Sequence, residues 1–250
     1  LPGVERAVEG LPGAIADIER YVERGRLLDV GCATGEHAAA ARRRGWDVLG
    51  IEVSPWAAEY ARQINGIAVH TGTIASLETD VAGFDAALLS EVIEHVADPV
   101  DTLRGVAERL RPGGIVWLST PNARSLAASV LGDAWDRILP SGHLHYFDAA
   151  TLARVAIASG LDVVAINSVD RDIVTLAARA RLAARAGSLR ALRARAAYAD
   201  ARRTMARILG RIGVSDAAGA WPWLDGETLI MVARKDGSTP PDLRQENQAP

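Results

Sequence analysis

The chain has 250 residues, 49% of them apolar and 24% charged, with a net charge of −3. That length suits one large α/β domain, or a domain with an appendage, and the composition is that of an ordinary globular protein. No apolar run reaches the roughly 18 residues of a membrane-crossing helix, and a lone cysteine, Cys32, excludes a disulfide framework and a cysteine-rich zinc site. A reducing, cytoplasmic setting is the expectation. No basic, apolar, small-residue leader opens the sequence; since it begins at Leu1 rather than Met, this expectation leaves room for a trimmed targeting segment.

Residues 12–24 have helical spacing and precede an apolar strand at 26–31; a glycine turn then leads to an Ala/Arg helix at 36–45. A second strand, 47–53, enters a helix opened by Ser54 and Pro55, residue types suited to the N-cap and first helical positions. A short third strand at 67–72 is followed by a loop, and a fourth at 84–92 runs into a helical stretch at 99–110. A Pro-Gly-Gly turn at 112–114 stops that helix, and strand five follows at 115–122. After a long loop rich in Gly, Pro, Trp and His come a helix at 148–160 and a sixth strand at 161–169. The seventh strand is 227–235.

Strand and helix alternate, and the strands are continuous apolar runs. This predicts an α/β fold with a seven-stranded, mostly parallel sheet buried by helices on both faces. Roughly sixty Ala- and Arg-rich residues separate the last two strands, with Met205, Ile208, Leu209 and Ile212 forming one helical stripe. The predicted domain therefore covers 1–171 and 221–235, with a helical insertion at 172–220 and a disordered tail at 236–250. Within 172–213, ten arginines meet only Asp172 and Asp200, a local charge of +8. That run reads as a solvated helical surface, with nucleic-acid binding as the rival reading. The insertion is expected to cap the acceptor pocket or to form a homodimer contact.

The strongest local signal is 27–35, where an apolar strand ends in Asp29 and passes through Gly31 and Gly35 into a helix. Seventeen residues beyond Gly35, strand two ends in Glu52, whose carboxylate can accept both hydroxyls of a ribose. A dinucleotide fold requires G-x-G-x-x-G for its pyrophosphate, whereas here Ala33 stands at the second glycine position. Asp29 repels pyrophosphate but welcomes an ammonium group. A cationic sulfonium ligand carrying a ribose suits both carboxylates.

Residues 28–35, the acidic end of strand two, the segments 84–99 and 110–122, and the late 143–152 together resemble a class I S-adenosylmethionine-dependent methyltransferase. Within that class the chain is similar to the ubiquinone-biosynthesis-type small-molecule O-methyltransferases. The resemblance covers 25 to about 168 and the last strand, but not the arginine-rich insertion. It implies a Rossmann-like fold and S-adenosylmethionine as cofactor. It also implies that Asp29, Gly31, Cys32 and Gly35 shape the methionine and ribose pocket, and that Glu52 binds the ribose. Val53, Thr73 and Ile74 are placed beside the adenine, with Ser90 and Glu91 closing the pocket.

On the acceptor side, Glu91, Glu94 and His95 are spaced to share a face if their stretch is helical. His143 and His145 lie in the long loop after strand five, which in this fold rises over the site. Two carboxylates and two imidazoles can bind Mg²⁺ or Mn²⁺, and a cation there ionises a hydroxyl acceptor. The arrangement resembles the metal site of the small-RNA 3′-terminal 2′-O-methyltransferases and that of the ubiquinone-pathway enzymes. The expected ligands are Glu91, Glu94, His95 and His145, the last standing two residues before Phe147 as the distant histidine does in those families. His143 then contacts substrate or accepts a proton. Two further readings stay open: His95 or His143 as a metal-free general base, or a purely structural role for the segment. His37 and His70 are expected at the surface or beside the adenine.

The predicted function is methyl transfer to a hydroxyl of a small molecule (a sugar, a phenol or a natural-product intermediate). The rivals are an RNA methyltransferase using the basic insertion and a non-catalytic cofactor-binding module. Only 5% of residues are aromatic, which leaves little for base stacking and disfavours the RNA reading. The Asp29 and Glu52 pair disfavours the non-catalytic one.

Overall fold

The computed structural model describes residues 13–125, 128, 135, 137–169 and 227–236. Its strands are β1 (Arg26–Val30), β2 (Asp47–Glu52), β3 (Ala68–Thr71), β4 (Phe84–Ser90), β5 (Leu110–Pro121), β6 (Leu161–Val169) and β7 (Thr228–Lys235). They form one sheet in the order β3-β2-β1-β4-β5-β7-β6. β1 to β5 are parallel, and β7 runs antiparallel between β5 and β6. The mostly parallel, seven-stranded sheet expected from the apolar runs is the one observed.

Successive strand residues feed two apolar layers. Leu28, Leu89, Val116 and Leu118 pack with Leu103 and Val106 of α4 (Pro99–Arg109) and with Leu152 of α5 (Ala149–Ala158). Leu27, Leu88, Ile115 and Trp117 pack with Ile15 and Ile18 of α1 (Ala14–Ile18) and with Ala38 and Ala41 of α2 (Glu36–Arg43). Because both faces are covered, the strands carry no polar alternation. α3 (Pro55–Asn65) lies against β2 and β3 beside α2.

Local chemistry starts the helices where the sequence signals it. Ser54 accepts a hydrogen bond from the Ala57 N–H at 3.3 Å, and Pro55 occupies the first turn of α3. Asp98 caps α4 through the Asp101 N–H at 3.0 Å, and Asp148 with Thr151 forms a reciprocal box at the start of α5.

Three boundaries differ from expectation. The helix predicted over 12–24 is regular only over Ala14–Ile18. Beyond it, the Glu19 carboxylate accepts from the Arg24 guanidinium and from Trp46 Nε1 at 3.0 and 3.1 Å, and also pairs with Arg44. That turns the chain toward β1 and holds Glu19 far below the ordinary carboxylate range, chiefly through Arg44. β4 stops at Ser90 rather than at 92, because Glu91 turns into the left-handed region with φ +57°. β5 begins already at Leu110, and the residues around Pro112–Gly114 are accommodated by a register shift between the Phe84–Leu110 and Ala86–Ile115 pairs.

Val169 and Pro121 both pair with Thr228, so the chain leaves β6 and re-enters β7 at the carboxyl edge of β5. The insertion expected at 172–220 and the tail beyond Asp236 lie outside the described residues. Among the described residues no helix is long and apolar enough to cross a membrane.

α1 is fastened to the sheet by Trp117 Nε1, which donates to Asp17 Oδ2 at 2.9 Å. Asp17→Ala strands that indole N–H and should cost about 1–3 kcal/mol in urea unfolding. A loss below about 0.5 kcal/mol would show that apolar contacts alone hold the helix.

Candidate active site

β1 leads outward to β2 and β3 on one side, while β4 leads to β5 on the other. Where winding reverses, loops diverge at the carboxyl ends of the strands and leave a crevice. Asp29, Glu52, Ser90 and Thr120 all stand at that edge.

The turn after β1 is built by backbone geometry. Gly31 has φ +72°, and a Cβ there would lie 2.5 Å from Val92 Cγ2. Its N–H and that of Cys32 donate to the Ile51 carbonyl at 2.8 and 3.0 Å, which draws β1 and β2 together at their ends. Gly35 caps α2 in the left-handed region, with φ +88°. Ala33 is also left-handed, with φ +48°, a conformation glycine adopts without strain. The Ala33 N–H donates to Glu52 Oε2 at 2.9 Å and the Ser54 N–H to Oε1 at 2.7 Å. Glu52 is thereby aimed by two backbone donors and keeps lone pairs for further hydroxyls.

Asp29 is 2% exposed, and among the described residues its Oδ2 has no partner. Burial raises its carboxyl to about 7, opposed by a hydrogen bond from the Ala38 backbone and reinforced by Glu36 and Glu52. A buried carboxylate with an unsatisfied oxygen is costly unless a cation arrives. Cys32 lies beneath the loop, its thiol pushed up to about 12 by burial and the neighbouring carboxylates, so it contributes bulk rather than a nucleophile. Val53 follows Glu52 with 65% of its surface open. Across from it, Thr73 precedes a single 3₁₀ turn at Ile74–Ser76, tied by the Thr73 N–H to Ser76 Oγ at 2.9 Å. His70 Nε2 meets the same hydroxyl at 2.9 Å, while His37 sits in the first turn of α2. Ser90 Oγ is 3.4 Å from Ser119 Oγ. An orphaned acid for an ammonium, an aimed acid for ribose hydroxyls and open apolar surface for a base fit S-adenosylmethionine.

A second group lies past the end of β4. Ligand-type atoms of Glu94, His95 and His143 lie within 4.8 Å of one another. The His95 Nδ1–H donates to the Gly142 carbonyl at 2.9 Å, and the His143 Nδ1–H donates to the Arg137 carbonyl at 2.7 Å. With Nδ1 as the donor, Nε2 is the nitrogen that each neutral ring can offer to a metal or a proton. Glu94 is 1% exposed; Thr120 Oγ1 donates to its Oε2 at 2.9 Å, and its Oε1 is buried without a partner, 3.9 Å from His95 Nε2. Burial, with the charge of Glu91 adding to it, raises the Glu94 carboxyl to about 7.

Residues 91–97 form a turn rather than a helix, so the face expected to align Glu91, Glu94 and His95 does not exist. Glu94 and His95 converge through the turn. Glu91 and His145 stand outside the group: a Glu91 oxygen is 3.5 Å from Arg137, and His145 Nε2 donates to the Val96 carbonyl at 3.0 Å. Sequence reasoning missed Thr120, Arg137 and Gly142. Only the location of Thr120 at a strand's carboxyl end could have flagged it; the other two act through backbone carbonyls that any residue carries.

A doubly wound sheet with this crevice is a Rossmann-like nucleoside-binding domain. Residues 11–166 match the family model described as a methyltransferase domain, and the chain belongs to that family. It is 36% identical over 140 residues to a ubiquinone biosynthesis O-methyltransferase of Xanthomonas axonopodis pv. citri, covering 52% of this chain and 59% of that protein. It is 37% identical over 125 residues to the like-named protein of Cereibacter sphaeroides, covering 47% and 51%. The chain thus spans little more than half the length of these curated relatives. Among solved structures, an S-adenosylmethionine-dependent methyltransferase from Mesorhizobium loti shares the fold at a TM-score of 0.57 and 20% identity, over 88% of this chain and 95% of that one. A Burkholderia thailandensis 1,6-didemethyltoxoflavin-N1-methyltransferase does so at a TM-score of 0.56 and 18% identity, over 94% and 82%.

The raised carboxyl of Asp29 fixes a pH dependence. A proton on Asp29 competes with the ammonium of the cofactor, so binding should weaken up to about tenfold per pH unit below 7 and level off between 7 and 8. Titration of S-adenosylhomocysteine by calorimetry should show this slope in the wild type and lose it in Asp29→Asn. A flat wild-type profile would remove Asp29 from the pocket. Glu52→Ala should weaken the same binding by about 1–3 kcal/mol through lost hydrogen bonds to a charged group.

Proposed function

We propose that this chain transfers a methyl group from S-adenosylmethionine to a hydroxyl of a small molecule, assisted by a divalent cation (Mg²⁺ or Mn²⁺) held by Glu94, His95 and His143. The observation that carries this reading is the convergence of those three side chains within 4.8 Å, next to the cofactor crevice. The choice of oxygen as acceptor is supported by the relatives called ubiquinone biosynthesis O-methyltransferases.

When bound, S-adenosylmethionine would supply an electrophilic methyl: the acceptor oxygen bonds to it in line as the S–CH3 bond breaks and S-adenosylhomocysteine leaves. Asp29 and Glu52 hold the donor by its ammonium and its ribose, fixing where the methyl stands. A divalent cation held by Glu94, His95 and His143 would lower the pKa of a bound hydroxyl and would favour acceptors with two neighbouring oxygens. Glu94 presents Oε1 because Thr120 occupies Oε2. His95 and His143 present Nε2 because backbone carbonyls occupy Nδ1. In this reading the distant histidine of the set is His143, and His145 braces the turn from outside through the Val96 carbonyl. In the absence of a cation, His95 Nε2 accepts the acceptor's proton while Glu94 stabilises the imidazolium that forms.

The test is metal analysis of the purified protein, followed by turnover of a catechol with chelator and after adding back Mg²⁺ or Mn²⁺. Chelation should abolish turnover, and Glu94→Gln should lower metal affinity by roughly 10–100-fold or more. Undiminished turnover in chelator by metal-free protein would overturn the cation and leave the histidine base.

A further inference from the structure

The loop that carries His143 is tied to the turn after β4 at several points. The Leu144 and His145 N–H groups donate to the Glu94 carbonyl at 2.8 and 3.1 Å. The His95 ring reaches the Gly142 carbonyl, and His145 the Val96 carbonyl. All these ties sit at the far end of the loop. At the near end, the described tie is Arg137. Its carbonyl accepts from the His143 ring at 2.7 Å, and its guanidinium lies 3.5 Å from Glu91. The two side chains are 22% and 21% exposed, so water screens the pair less than it would at an open surface.

Glu91 is itself held to the sheet, its N–H donating to the Ser119 carbonyl of β5 at 3.0 Å. It also adopts φ +57°, a conformation that costs a non-glycine residue about 1–2 kcal/mol. Glycine would remove that strain, so the strain is tolerated for what the side chain does. The Glu91 carboxylate is anchored to β4 and β5 and reaches across to the acceptor-side loop.

We propose that Arg137 is a positioning residue for the reaction: through its pair with Glu91 it fixes the carbonyl that sets the tautomer and direction of the His143 imidazole. The guanidinium touches neither donor nor acceptor. Its contribution is to hold a backbone oxygen still, so that His143 keeps its proton on Nδ1 and its lone pair on Nε2 toward Glu94 and His95. The inference rests on His143 belonging to the reactive group as proposed above.

The test reads the ring directly, in protein labelled with ¹⁵N at histidine and without added metal. In the wild type, the His143 nitrogens should report the Nδ1–H tautomer. In Arg137→Ala that signal should shift toward mixed tautomers, with affinity for S-adenosylhomocysteine unchanged within about twofold. Turnover of the catechol should fall roughly 10–100-fold in kcat with little change in KM for S-adenosylmethionine. Glu91→Gln, neutral and of the same shape, should reproduce the tautomer shift even where Arg137→Ala lowers overall stability. The reversed pair, Glu91→Arg with Arg137→Glu, should restore the Nδ1–H signal and part of kcat. If His143 keeps the wild-type tautomer in both single variants, the proposal is overturned. Because the tautomer is read without turnover or metal, failure of the methyl-transfer reading would show separately, as an inactive wild type with the tautomer shift intact.

Discussion

Two carboxyl groups, Asp29 and Glu94, are buried at the carboxyl edge of the sheet, each with one oxygen that no protein group among the described residues satisfies. Burial drives both up to about 7, so each sits near the balance between neutral acid and anion. Such groups persist only where the surrounding fold is stable enough to carry them, and here two apolar layers clamp β1, which carries Asp29, and β4, which leads into the turn that carries Glu94. Asp29 stands near the end of β1, and Glu94 in the turn beyond β4. A cationic group of a ligand would relieve the cost at Asp29, and a proton or a metal would relieve it at Glu94.

The two halves of the site are built by different means. On the donor side the geometry is mainly backbone: Ala33 and Ser54 N–H groups grip Glu52, and the Ile51 carbonyl draws the glycine turn against β2. These contacts sit on strand ends and a helix N-terminus, elements that shift little. On the acceptor side, three side chains from a turn and a loop converge, and backbone carbonyls of the loop set their tautomers. A donor site of fixed shape beside an acceptor site hung on loops lets one fold serve many acceptors. The family match spans the donor machinery, while the curated relatives extend well beyond what this chain covers.

The amino-acid sequence by itself determined the order of elements and the parallel core, and it placed Asp29 and Glu52 at the carboxyl ends of the first two strands. Those features are written in short-range signals: continuous apolar runs, Ser-Pro and Asp-Pro helix starts, Gly31 and Gly35 at fixed spacing, and an acid at the end of each of the first two strands. Tertiary structure alone decided the acceptor half. Spacing placed Glu91, Glu94 and His95 on one helical face, but Glu91 enters the left-handed region, and the stretch folds as a turn that parts Glu91 from the other two. Likewise, His143 and His145, with one residue between them, are equivalent in sequence. Which of them joins Glu94 depends on which backbone carbonyl each ring meets, Arg137 for His143 and Val96 for His145. The bond to Val96 spans 49 residues, and no local pattern encodes the partner at the other end.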